Sequence, residues 1–216
     1  VDSAGELCFR MGRLTEARER YEEALELKPD FYYAYWELAY VAALREDYEN
    51  TLAWIDRFIE RAPSSGTRLE GMRWKSFYQT WIGRFEEAAQ LAEALCREAS
   101  DERHARWDVE SLRILGWIHM ARGETAEARA AFATCIDFVD REPEAFIPAG
   151  ASYSQASLDQ VPEERAAHIF ALAMANTAAG DTDAAWVGYD AIREADPGHA
   201  ALLRAEILLA EGDARE

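Results

Sequence analysis

The sequence predicts an all-α chain built from stacked, antiparallel helix hairpins, and three observations predict it. A sharp turn recurs at Gly12-Arg13-Leu14, Glu46-Asp47-Tyr48, Gly83-Arg84-Phe85, Gly123-Glu124-Thr125, Gly180-Asp181-Thr182 and Gly212-Asp213, at intervals of 34, 37, 40, 57 and 32 residues. After several of these turns a small residue is followed four positions later by an aromatic, as in Ala17 and Tyr21, Ala128 and Phe132, and Ala185 and Tyr189. The helix carrying that pair then runs to a proline at Pro29, Pro63 and Pro197. Self-similarity of this period marks units that cannot bury their apolar face alone and must stack on their neighbours.

In the first unit, roughly residues 1–31, Gly12 suits a helix end because the chain there turns left-handed. Thr15, like Thr125 and Thr182 later, is placed to cap the next helix. Ala17 and Ala24 let the paired helices approach, and Tyr21 fills the gap beside them. The second unit, 32–65, keeps Leu38-Ala39 in its first helix but has Thr51 and Ile55 in place of the small and aromatic pair. In the third, 66–100, Met72-x-x-Lys75-Ser76 puts lysine where a core leucine belongs, so its first helix is expected to be longer or rotated. The fourth, 101–142, has extra residues around 100–108 that lengthen its first helix. Between Arg141 and Val161 lies an insertion with Pro143, Pro148, Gly150 and a run of small residues, read as loop or a short irregular helix. The fifth unit, 162–198, opens with Pro162-Glu163-Glu164, proline in the first turn and acids at the positive dipole end. A last partial helix, roughly 199–210, caps the stack. The chain begins at Val1 inside a helical pattern and stops just after Gly212-Asp213, so it reads as a single-domain segment of a longer protein.

The fourth unit carries the pattern most fully: Leu112-x-x-Leu115-Gly116-x-x-His119, then Gly123, then Ala128-x-x-x-Phe132. This resembles the tetratricopeptide repeat, W-x-x-L-G-x-x-Y, then A-x-x-x-F, then P, over about 34 residues. Five degenerate copies cover most of the chain. The resemblance implies a right-handed α-α superhelix whose first helices line a concave surface and whose second helices form the outer layer. On that scheme the inward stripe is Tyr33, Trp36 and Tyr40, then Arg73, Trp74, Phe77 and Trp81, then Arg113, Trp117 and Met120, then Phe170 and Met174. Monomers seldom leave so large an apolar patch wet. A protein or peptide partner with apolar anchors would cover it, with Arg73 and Arg113 facing a partner carboxylate. Neighbouring helices or the 141–161 insertion are the alternative cover. Repeats of this family that clamp chaperone tails use lysine and asparagine on the first helices. Here Trp36, Tyr40, Trp74 and Phe77 stand there without asparagine, so that clamp is not expected.

Composition narrows the function further. The chain is 50% hydrophobic and 12% aromatic, too rich for a disordered segment. Its net charge of −18 disfavours nucleic acid and anionic membrane as partners. Lys28 and Lys75 are the only lysines, an arginine bias that suits a GC-rich bacterial genome. Cys8, Cys96 and Cys135 are odd in number and far apart, which fits a reducing compartment and a cytoplasmic location. No apolar run reaches the ~20 residues of a membrane span. Nucleotide, zinc-protease and redox signatures are missing, and Gly150-Ala151-Ser152-Tyr153-Ser154 lacks the closing glycine of a nucleophile elbow. His104, His119, His168 and His199 share no ligand spacing, and His119, at the motif tyrosine, is expected to pack with one hydrogen bond. Glu22-Glu23 and Glu86-Glu87 read as a solvated face. No enzyme, metal or cofactor is expected. The sequence points to a protein-interaction module or scaffold, with homo-oligomerisation compatible. The alternative is a regulatory or sensor segment binding a small apolar or carboxylate ligand.

Overall fold

The turns decide where the helices stop. At Gly123 the backbone is left-handed, with φ of 76°. Gly123 N–H donates to Met120 C=O at 3.0 Å and Glu124 N–H to His119 C=O at 2.9 Å, which satisfies carbonyls that the helix leaves unpaired. At the equivalent place Glu46 is also left-handed, with φ of 59°, and Asp47 N–H closes on Ala42 C=O at 3.0 Å. Its Cβ makes that conformation cost roughly 1–2 kcal/mol, a penalty that glycine escapes.

The computed structural model describes residues 2–101, 105–143 and 161–212. Among these residues it is helical throughout: α1 (Asp2–Arg10), α2 (Leu14–Leu27), α3 (Tyr32–Leu44), α4 (Tyr48–Glu60), α5 (Ser65–Trp81), α6 (Phe85–Asp101), α7 (Ala105–Arg122), α8 (Thr125–Arg141), α9 (Val161–Ala178), α10 (Thr182–Ile192) and α11 (Pro197–Ala210). Most of the expected 141–161 insertion, with Ser152, and His104 lie outside the described residues. The chain divides into two units, Val1–Glu98 and Ala99–Glu216. In the first, helices α1 to α5 each pack on the next; in the second, α7 to α11 do so across every junction, and α11 also reaches back to α9. This is the all-α solenoid that the sequence predicts.

Inside the hairpins, pairs four residues apart on the second helix form the core. The expected Ala17 and Tyr21, Thr51 and Ile55, and Ala128 and Phe132 are all fully buried, as are Ala88 and Ala92 in the third unit; of the expected Ala185 and Tyr189 the alanine is buried and the ring half-buried. The approach is close. A Cβ added to Gly116 would lie 2.5 Å from Phe132 Cε1, so the bare glycine is what admits the ring. Where the first helix instead carries Ala39 or Ser76, the second helix carries Ile55 or Ala92 where α8 has its ring. Between Gly116 with Phe132 and Ala39 with Ile55, bulk lost on one helix is gained on the other; Ser76 and Ala92 are small on both.

Ser76 settles the register of the third unit. It is buried, and its Oγ donates to Ala88 C=O at 2.8 Å. Lys75 therefore does not enter the core; its Nζ reaches Asp56 Oδ1 at 2.5 Å. The helix is longer than its predecessor, 17 residues against 13.

The capping threonines need correction. Thr125 and Thr182 are the first residues of α8 and α10, and Thr15 is the second of α2. The left-handed turn brings the residue before them to the cap position. Asp47 accepts from Asn50 N–H at 3.4 Å, and Asp181 from Ala184 N–H at 3.3 Å. Arg13 and Glu124 hold the same place without a side-chain cap bond.

Replacing Glu46 with glycine removes the left-handed penalty while loosening the unfolded chain. The expected net gain is about 0.5–1 kcal/mol, read as a higher urea midpoint at unchanged slope.

Candidate functional site

In residues 1–98 the face shared by α1, α3 and α5, expected from sequence to be the inner one, is made by what the core leaves over. On α3, Ala34, Tyr35, Leu38, Ala39, Val41 and Ala42 are buried. Tyr33, Trp36, Glu37 and Tyr40 fall on the remaining stripe at helical spacing. On α5, with Leu69, Met72, Ser76 and Tyr78 buried, the same stripe holds Glu70, Arg73, Trp74, Phe77 and Trp81.

These side chains form a series of ring contacts. Phe9 of α1 lies 5.3 Å from Tyr40, Tyr40 lies 6.3 Å from Trp36 in a near-parallel stack, and Trp36 lies 6.3 Å from Trp74. Trp74 meets Phe77 edge-on at 6.1 Å, and Phe77 meets Trp81 at 4.6 Å. Offset and tilted geometries of this kind are the ones that the ring quadrupole favours. Trp36 and Trp74 are half-buried, anchored on the cluster of Ala39, Leu52, Ile55 and Tyr78. Three rings on these helices are open to solvent: Tyr40 within the series at 39% exposed, Trp81 at its end at 63%, and Tyr33, outside the series beside Tyr32, at 52%.

Polar groups sit among the rings. The Arg73 guanidinium lies 4.4 Å from the centre of the Trp74 ring, a cation–π contact on the face itself. Among the described residues the buried Trp74 indole N–H has no acceptor. Tyr32 and Tyr33 have ring centres 4.3 Å apart. The Tyr32 hydroxyl is pushed up to about 12, first by its hydrogen bond with Tyr33, with burial and the negative charge of Glu70 acting in the same direction. Glu37 accepts from the Tyr21 hydroxyl at 3.4 Å.

Phe9, Glu37 and Glu70 are additions to the stripe read from sequence. Counted from the small residue at the helix crossing, Phe9 follows Gly5 by the same four positions as Met120 follows Gly116. Glu70 precedes Ser76 by the same six as Tyr33 precedes Ala39. The offsets were present in the chain; filtering for aromatics and the short first helix hid them.

Residues 99–216 use their stripe differently. Arg113 donates to Glu110 Oε2 of its own helix at 2.6 Å, so its expected carboxylate partner is internal. Trp117 packs edge-on to Phe132 at 5.2 Å and is half-buried. Phe170 is a correction to the groove-lining set. It is 7% exposed, because α11 lays His199 against it at 4.5 Å and Leu203 and Ile207 complete the cluster. Met120 and Met174 do come together. With Thr177, Glu206 and Leu209 they line an open cleft of 490 Å³.

The other candidates resolve simply. His119 is half-buried with Nδ1 at 2.6 Å from Glu124 Oε2, the single hydrogen bond expected of it. Glu22 and Glu23 belong to surface pairs with Arg18 at 3.8 Å and Arg20 at 2.8 Å; such exposed pairs contribute about 0–1 kcal/mol each. Among the described residues no three His, Cys, Asp or Glu side chains gather as a metal site, and no helix is long and apolar enough to cross a membrane.

His168 was singled out only as lacking ligand spacing. It is 1% exposed, and among the described residues neither ring nitrogen has a hydrogen-bond partner. Burial first, and then the Arg113 cation, push it down to about 4, against an opposing pull from Glu110. Above pH 6.5 the imidazole is neutral in folded and unfolded chains alike. Between 6.5 and 4 the unfolded chain takes up a proton that the folded one refuses, so stability falls as pH falls, by up to about 3 kcal/mol. His168→Leu should lose less stability than the native chain between pH 7 and pH 4.5 in parallel urea titrations. Equal losses would exclude this role for the imidazole.

Residues 4–66 match the tetratricopeptide repeat family. No curated protein sequence matches the chain. Solved structures that share its fold include YrrB, PilF and PilW. YrrB, a tetratricopeptide-repeat protein with an unusual peptide-binding site, superposes with a TM-score of 0.54 at 15% identity, covering 96% of this chain and 88% of that one. PilF of Pseudomonas aeruginosa gives 0.51 at 16%, covering 94% of each chain. PilW, a widely conserved type IV pilus biogenesis factor, gives 0.52 at 14%, covering 94% and 96%.

Proposed function

We propose that this chain, tetratricopeptide repeat by sequence over residues 4–66 and by fold in its helical hairpins, is a non-catalytic protein-interaction module. Its inner face in residues 1–98 receives a peptide or protein partner. The observation that carries the reading is the series of rings from Phe9 to Trp81, held in place from below and open at Tyr40 and Trp81, with Tyr33 exposed on the same stripe of α3. Burying such rings is favourable in proportion to area, and tryptophan, tyrosine and arginine dominate interface hot spots. The peptide-binding site of YrrB and the role of PilW in pilus biogenesis are in keeping with a binding role for this fold.

The exposed residues give the cleanest test. Trp36 and Trp74 also support the core, so their loss would mix folding with binding. Tyr33→Ala with Trp81→Ala removes ring surface that lies mostly in solvent. The double variant should keep its helical circular-dichroism signal and lose partner capture from extract by about thirtyfold or more, the scale of a hot spot of about 2 kcal/mol. Undiminished capture by the folded variant would move the binding site elsewhere.

A second reading, a sensor segment for a small ligand, is favoured by the cleft of Met120, Met174 and Leu209 in residues 99–216. Methionines adapt readily to an apolar guest. A ligand that fills the cleft at a hundred times its dissociation constant should stabilise the folded chain by about 2.7 kcal/mol, visible as a rise in melting temperature. Abolition of that rise by Met174→Glu would place the ligand in the cleft, and an unchanged rise would exclude it.

A further inference from the structure

Glu70 stands apart from the other groups on the inner face of residues 1–98. It lies on the same stripe of α5 as Arg73, Trp74 and Phe77, and its charge acts on the Tyr32 hydroxyl, whose ring lies tilted against that of Tyr33. Among the described residues no cation pairs with it. By contrast, Asp56 on the neighbouring helix holds Lys75, and Arg73 is engaged over Trp74. Glu70 on α5 and Tyr33 on α3 hold equivalent positions on neighbouring first helices, each six residues before the small residue at its crossing, so a half-buried carboxylate and an exposed phenol ring share one aromatic face of a chain with net charge −18.

We infer that the partner of this face is an extended cationic peptide, one whose lysine or arginine pairs with Glu70 across the Tyr33 ring while its apolar residues cover Tyr40 and Trp81. The inference rests on the interaction-module reading above and adds the chemistry of the partner. Three features on the page point the same way. An electron-rich ring beside a carboxylate is a two-part receptor for a cation, attracted by the ring face and by the charge. Flat aromatic strips accept extended, proline-bearing chains whose ordering cost is already low. The overall negative field raises the encounter rate of basic chains and repels acidic ones.

Three labelled peptides of equal length test this on the full chain by fluorescence anisotropy: one alternating proline and lysine, one with glutamine for lysine, one with glutamate. The lysine peptide should bind about tenfold more tightly than the glutamine peptide, the effect of one well-placed ion pair. Glu70→Gln should remove most of that advantage while leaving the glutamine peptide unaffected. Glu26→Gln, an exposed acid on α2, should leave all three affinities unchanged and so separates local recognition from diffuse attraction. Equal binding of lysine and glutamine peptides would overturn the inference and leave the aromatic module standing. Equal damage from Glu26→Gln, or tightest binding of the glutamate peptide, would also overturn it. If none binds to the folded chain the inference falls, and the module itself is then judged by the Tyr33 and Trp81 variant.

Discussion

Everything else in the molecule depends on how closely the two helices of a hairpin approach. At Gly116 and Phe132 that distance leaves no room for a single methyl group. Once the second helix supplies the bulk, the first needs only a narrow strip of small residues to pack against it. The rest of the first helix's circumference is released from the core. On α3 that released strip is Tyr33, Trp36, Glu37 and Tyr40; on α5 it begins at Glu70 and ends at Trp81. A loosely packed hairpin would have drawn those rings inward to fill the gap. Tight contact on one side of the helix thus leaves aromatic surface on the other, so the packed core and the exposed ring face share a cause.

The same logic explains why cores of unequal composition give equivalent hairpins. Ser76 and Ala92 replace the glycine and aromatic of the fourth unit with two small side chains. The serine hydroxyl, which would be costly to bury alone, is satisfied by Ala88 C=O. His168 shows the opposite choice. Its ring fills space among α9's neighbours without any partner for its nitrogens among the described residues, stable only while neutral.

The helix hairpins were legible in the chain because the turn, the small residue and the ring are all local features at fixed spacing. The poor fit of Lys75 to a core position was legible, but its pairing with Asp56 was not, because that carboxylate lies on a different helix. The caps were misplaced by one residue, since Thr125 and Thr182 look like caps until the left-handed geometry of the glycine before them is counted. Phe170 was misread for a non-local reason. A stripe on α9 shows which side chains share a face, and nothing in that segment says that α11 returns to cover it with His199 and Leu203. Glu70 was missed because a lone acid on an acidic chain has no distinguishing pattern. Its meaning comes from Tyr32 and Tyr33, which lie on a different helix.

The ring contacts from Phe9 to Trp81 also bear on timing. Each ring rests on the next, and aromatic side chains have few torsions to freeze. A molecule docking there therefore meets a surface that is already ordered, and the cost of ordering falls on the incoming chain alone. Preordered surfaces of this kind associate at similar rates with related partners and distinguish them by how long each stays. On this face selectivity would be expressed as residence time, with the rigid rings making arrival a common event and departure the discriminating one.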